Sequence, residues 1–391
     1  MLISLALAFQ ATVWTVDDSG GPGVDFTDLP PAIAAASPGD VLLVRAGSYS
    51  KPIVNKGLSI HADQGAVVTV AGLRVESIPA GERVTLSGLT SPANGLISSC
   101  AGMVWIQGCR FQPPAAGGYA LQVLDCVDVV LVDVVGIGGG TAFTSFATPG
   151  PGLQTSNSAV HVFECMFQGG NGGWIDPFAT LPLGYEPAAG ARHESGEFVA
   201  HASTFVGGQG LAPKDPYFVV CLPPAVGTGA PGLELLAPGH VRDCQLQGGP
   251  GGFALFCPPG PTGPAYSGLA PVVFQGEYVS LDVPSPIREK SAFGLTLSGS
   301  PGVFAIVGIA QSQDALLIPA WGGGLVIQGP YLVLPPVVIP AAGTLTQTFG
   351  LLDLGPSVES LTFLSQVAAV DAFGAITVND AAAVVLLDEQ F

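Results

Sequence analysis

The sequence predicts an all-β protein: a right-handed parallel β-helix followed by a smaller antiparallel β-sandwich-like domain. Three observations point there. The composition is apolar and sparsely charged, with 48% hydrophobic and 10% charged residues and a mean hydropathy of +0.52. Disorder needs the opposite balance, few apolar residues and many charges. A short unit of strand, bend and apolar pair recurs through the first two thirds of the chain. Beyond residue 270 that unit gives way to short apolar runs between regular turns. The 55 Gly and 35 Pro interrupt every apolar run before the roughly 18 residues a membrane-spanning helix requires. Glycine also lacks the three-residue period of collagen.

Residues 1–11, Met1-Leu2-Ile3-Ser4-Leu5-Ala6-Leu7-Ala8-Phe9-Gln10-Ala11, resemble a secretory signal peptide cleaved after Ala8 or Ala11. The same run also suits a first strand. A secreted or cell-surface, bacterial extracytoplasmic location is the expectation. With 11 basic and 29 acidic residues the net charge is −18, so a nucleic acid or an anionic surface would repel the chain. The last basic residue is Lys290.

Residues 12–257 are expected to form the β-helix. Val104-Trp105-Ile106-Gln107-Gly108-Cys109-Arg110-Phe111 matches Val160-His161-Val162-Phe163-Glu164-Cys165-Met166-Phe167, and further copies start at Val84, Val130, Phe198 and Gly239. One such unit cannot bury its apolar face, whereas stacked units can. The starts grow further apart along the chain, which means a constant coil carrying longer insertions on one side. A β-sandwich would not place Cys109, Cys165 and Cys244 at one step of a repeat. Paired glycines at 139–140, 169–170, 207–208 and 248–249 read as punctuation of the coils.

Stacking makes a disulfide testable. Cys100 and Cys126 each lie four residues before a unit start, so they are expected on adjacent coils. Coils about 4.8 Å apart fall inside disulfide range, and a Cys100–Cys126 bond is expected. Cys109 and Cys165 lie two coils apart and read as core. Whether Cys221 and Cys257 pair is left open.

The N-terminal segment Val16-Asp17-Asp18-Ser19-Gly20-Gly21-Pro22-Gly23-Val24-Asp25-Phe26-Thr27-Asp28-Leu29 precedes a small-residue helix at 31–36. After it comes Ser37-Pro38-Gly39-Asp40-Val41-Leu42-Leu43-Val44-Arg45-Ala46-Gly47-Ser48-Tyr49. This order resembles the cap and first coil of pectin-lyase-like β-helix proteins, as does Lys56-Gly57-Leu58-Ser59-Ile60. The resemblance spans roughly residues 12–255. It implies the fold and, in that group's enzymes, chemistry on acidic polysaccharides. None of their local catalytic patterns, such as Asn-Thr-Asp or Gly-His-Asp, occurs here.

Two surfaces are candidates for function. Alternation along the coils puts Gln107, Asp133, Phe163, His201 and Arg242 at one outward step and Trp105, Leu131, His161, Val199 and His240 at another. Glu164 and Asp243 follow at the next step. The insertion between the units at 160 and 198 gathers Trp174, Asp176, Tyr185, Glu186, Arg192, His193, Glu194 and Glu197 in a chain otherwise poor in charge. Aromatic faces, carboxylates and a histidine suit a sugar site. Asp176, Glu186, His193 and Glu194 are the catalytic candidates, since two carboxylates about 5–9 Å apart perform glycoside chemistry. Trp174, Tyr185, Arg192, His201 and Arg242 are the ligand-binding candidates. Asp17, Asp18, Asp25 and Asp28 surround a Gly-rich turn where carboxylates suit Ca²⁺, although aspartates in turns need no metal.

Cys257-Pro258-Pro259-Gly260-Pro261-Thr262-Gly263-Pro264 breaks the repeat, so 258–270 reads as a Pro/Gly linker. Residues 271–391 then show eight apolar runs, among them Thr344–Phe349 and Ile376–Leu387, which suit a sandwich. Three functional classes stay open: a β-helix binding a polysaccharide or cell-envelope component without turnover, a polysaccharide lyase or glycoside hydrolase with a divergent site, and a purely structural envelope protein.

Overall fold

The computed structural model describes residues 11–114, 118–140, 148–175, 186–213, 227–253, 258–350, 353–355 and 358–391. Three parallel sheets of ten, eight and eight strands run side by side. Each full coil lends one strand to each sheet, which is the expected parallel β-helix. Like residues stack inward: Ile60, Leu86, Ile106, Leu131, Val162 and Ala200 pair in succession along the first sheet. All are buried.

One register differs from the sequence reading. Val104 pairs with Val129, not Val130. A one-residue slip turns every side chain to the opposite face, so Leu131 belongs to the core and Val130 faces outward. The run Val129-Val130-Leu131-Val132 is apolar at every step because both faces are buried, which hides its alternation.

The bend from the first sheet to the second is made by a single residue of positive φ. Asp133, Glu164, Ala202 and Asp243 take φ between 45° and 53°, after Gly88 and Gly108 in earlier coils. The next step stacks Cys109, Val134, Cys165, Ser203 and Cys244, the backbone carbonyls of the first four accepting from the coil above. Cys109, Cys165 and Cys244 therefore share a column with one residue between each pair, as expected, and all three are free thiols.

The paired glycines do more than punctuate. After the second sheet the chain leaves each coil along an extended arm and returns beside it. Outgoing and returning arms alternate and are joined by backbone hydrogen bonds: Gly170 to Gly150, Ala188 to Gly170, Gly208 to Ala188, Ala230 to Gly208 and Gly249 to Ala230. The approach is too close for side chains. A Cβ on Gly208 would lie 2.0 Å from the Gly170 carbonyl oxygen, and one on Gly207 2.0 Å from that of Ala230.

The same stacking corrects the expected linker. Residues 258–270 are the last coil: Gly260 and Gly263 bond back to Gly252 and Gly249. Tyr266–Gly268 then extends the third sheet beside Leu233–Leu235. Val272–Val273 closes the first sheet beside His240 and Val241. Proline lacks an N–H and fixes φ at about −65°, and an extended arm joined through carbonyls and alternate amides accommodates both.

At the other end, the helix Leu29–Ala35 starts two residues earlier than expected. Asp28 accepts from the Leu29 N–H at 2.8 Å and proline occupies the first turn, the arrangement that spares unpaired amides. Leu29, Ala32 and Ile33 cover the end of the core.

The C-terminal module is built from antiparallel sheets and lies along the first sheet of the coil. Its long strands Ser360–Val370 and Ile376–Leu387 pair with each other. From Ile376–Leu387, Ala382, Val384 and Leu386 fill the module's own core. Ala381 and Ala383 meet Trp105, Val130, Val132 and Phe163, while Val385 and Leu387 meet Val13, Val41 and Leu43. A strand buried on both faces reads as a continuous apolar run, which accounts for Ala381-Ala382-Ala383-Val384-Val385-Leu386-Leu387.

Candidate functional site

The docked module covers the outward steps of the first sheet, so the expected solvent ridge there is an interdomain seam. His61, Trp105, His161, His201 and Arg242 are all buried. The signal was present in the sequence, because Trp105, Val130, Phe163 and Val199 are poor solvent-facing residues. Arg242, expected to bind ligand, instead donates from Nη2 to the Val378 carbonyl and to Asn379 Oδ1, both at 2.6 Å. Its guanidinium carbon lies 5.7 Å from the Tyr278 ring centre, and burial pulls its pKa down to about 10. His201 stacks on Phe163 with ring centres 5.3 Å apart, and burial holds it well below the usual imidazole range.

The expected insertion site divides. Asp176 and Tyr185 lie outside the described residues, as do Cys221 and Cys257. The backbone of Trp174–Ile175 pairs with Ala212–Pro213 of the next arm. Glu186 is exposed where the arm returns. Residues 191–193 are not loop but coil, the strand Ala191–His193 of the third sheet. Alternation there points Ala191 and His193 inward and Arg192 outward. His193 is fully buried, its Nδ1 2.8 Å from Thr155 Oγ1 and its ring 5.4 Å from that of Phe198. Burial lowers its pKa. A histidine sealed in the core reaches no substrate, so it is not the proton carrier expected of it.

Glu194 and Arg192 instead belong to a polar ladder on the outward face of the third sheet. Gln122 Nε2 donates to Gln154 Oε1 at 3.0 Å, and Gln154 Nε2 donates to Glu194 Oε1 at 3.0 Å. Arg192 Nε lies 3.1 Å from Glu194 and 3.7 Å from Glu234. The backbone register sets Gln122, Gln154, Arg192 and Glu234 side by side on successive strands. These side chains are half-buried, and the module packs on the first sheet, not on this one. Sequence reading found Arg192 and Glu194 but missed Gln122, Gln154 and Glu234. Their signal is the middle position of Leu121-Gln122-Val123, Leu153-Gln154-Thr155 and Leu233-Glu234-Leu235, flanked by inward residues. The glycine arms leave the coils beside this sheet.

The N-terminal aspartates are occupied by donors of the protein itself. Asp17 accepts from Ser19, Asp18 from the Ser48 N–H, Asp25 from the Thr15 N–H, and Asp28 from Leu29 and Ser50. Among the described residues, no three His, Cys, Asp or Glu side chains converge on a metal position, and no helix is long and apolar enough to cross a membrane. Cys100 and Cys126 lie on adjacent coils, the Val127 N–H donating to the Cys100 carbonyl. Both are thiols in this structure. No protein-family model matches the chain, and no curated protein matches its sequence.

Proposed function

We propose that this is a secreted or cell-surface β-helix that binds a carbohydrate or other cell-envelope polymer along its third sheet without turning it over. The observation that carries the reading is the ladder Gln122–Gln154–Glu194–Arg192–Glu234, which runs across four successive coils. Amides, carboxylates and a guanidinium repeating at one strand spacing, about 4.8 Å, offer donors and acceptors to a chain of hydroxyls laid along the coil axis. The net charge of −18 favours a neutral polymer over a polyanion. Turnover is not part of the proposal because His193 faces the core and Glu194 is held by Gln154 and Arg192.

The test is retention of the purified protein on insoluble neutral and acidic polysaccharides, with chain ends assayed in parallel. Retention without new ends, weakened about tenfold in Arg192→Ala and Gln154→Ala, supports the reading; loss of one or two hydrogen bonds is of that size. New chain ends that vanish in Glu194→Gln overturn it in favour of a hydrolase or lyase. No retention on any polymer overturns it in favour of a structural protein.

A further inference from the structure

The two ends of the coil stack are finished differently. The first coil is sealed by Leu29–Ala35. Among the described residues nothing comparable seals the last one. Its inward positions are Tyr266, stacked on Leu233, and Val273, stacked on Val241. The residues beneath are buried, whereas Tyr266 and Val273 are 43% and 58% exposed. Leu236, Leu269 and Val272, next to them along the chain or on the adjoining coil, are exposed as well. The end of a hydrophobic core is thus open to water, a patch of the kind that marks an interaction surface.

Charge sets which partner fits. From Cys244 to Gly276 the chain has no Asp, Glu, Lys, Arg or His, although its total is −18. The last coil itself therefore adds no charge against a second copy, which like charge repels elsewhere. We propose that two copies of this chain join tail to tail, each covering the open core end of the other around a twofold axis. The sealed N-terminal end rules out head-to-tail growth, so the contact closes as a dimer and forms no filament. Pro264 and Pro271 flank the short edge strands and deny a continuous backbone ladder. The union is therefore side-chain packing of two core ends.

Sedimentation of the full chain over a hundredfold concentration range tests this. A monomer–dimer equilibrium that is undiminished at high salt is expected. Val273→Glu and Leu269→Glu, each at an exposed position, place like charges face to face and are expected to weaken the dimer at least about a hundredfold. Phe373→Glu, on the exposed turn before Ile376–Leu387, is expected to leave it intact. Unchanged thermal unfolding at low concentration shows that each variant is folded. A monomer at every concentration overturns the proposal, as does a dimer that survives both end variants or dissociates in Phe373→Glu.

Discussion

Arg242 and Asn379 meet across the seam between coil and module, Nη2 to Oδ1 at 2.6 Å, with both side chains buried. The guanidinium has left water, and the module supplies two of its acceptors. Removing one partner strands a buried charge, whereas removing both does not. Asn379→Leu is expected to cost about 3 kcal/mol, and Arg242→Met together with Asn379→Leu to recover most of it. Urea unfolding of both single variants and the double measures this, and a double-variant loss equal to the sum of the single losses would show that the pair is not coupled.

Acid should weaken the same seam. Burial pulls His61 down to about 3, and it holds His201 and His240 below the usual imidazole value. Arg83 adds to the effect at His61, and Arg242 at His201. The unfolded chain binds these protons first, so stability is complete above about pH 6.5 and falls as pH drops toward 3. The slope is about 1.4 kcal/mol per pH unit for each proton. Asp380 and Glu164, raised by burial, act in the opposite sense: their contribution is complete below the usual carboxylate value and fades as pH rises. His61→Leu is expected to flatten the acid limb by about one proton in chemical denaturation at pH 4–7, and an unchanged slope would remove His61 from this account.

Gly208→Ala is expected to destabilise the coil by about 3 kcal/mol or more, since backbone on the facing arm cannot give way to the added methyl. Its Cβ would meet the Gly170 oxygen at 2.0 Å. Gly350→Ala, with open space around it, is the control and should unfold with the parent protein. Thermal unfolding separates them.

Cys100 and Cys126 are expected to cross-link under oxidising conditions. The neighbouring Cys126 thiol holds Cys100 down to about 7, so its thiolate is available near neutrality. Glutathione disulfide would take the two electrons and two protons of the pair and leave as two thiols. Peptide mapping after alkylation without reductant should find the 100–126 linkage. Both residues fully alkylated after oxidation would defeat it.

Ala202 holds the bend with φ of 45°, a conformation that costs a residue bearing Cβ about 1–2 kcal/mol. Ala202→Gly trades that strain against the greater chain entropy of glycine and is expected to gain about 0.5 kcal/mol. A measured loss would mean that the Ala202 methyl contributes packing that outweighs the strain.

Much of this architecture is written in the order of residues. Alternation and the recurrence of Cys109, Cys165 and Cys244 at one step determine the coil, because stacked units can bury an apolar face only by aligning like positions. The break in that recurrence after residue 257 marks where insertions and proline take over, but not that one more coil follows; that depends on backbone bonds from Gly260 and Gly263 to earlier arms. The site was half legible. Arg192 and Glu194 stand out by charge, but Gln122 and Gln154 gain meaning only beside them, through a register that joins residues tens of positions apart. His193 and Arg242 were misjudged for different reasons: His193 lies in a coil strand that reads as part of a loop insertion, and Arg242 shows that period-two alternation tells which residues share a face, not what lies over it. Only the tertiary structure decided that the module covers the first sheet and leaves the third uncovered. Burial is a property of packed surfaces, and the partner surface here comes from strands more than a hundred residues away.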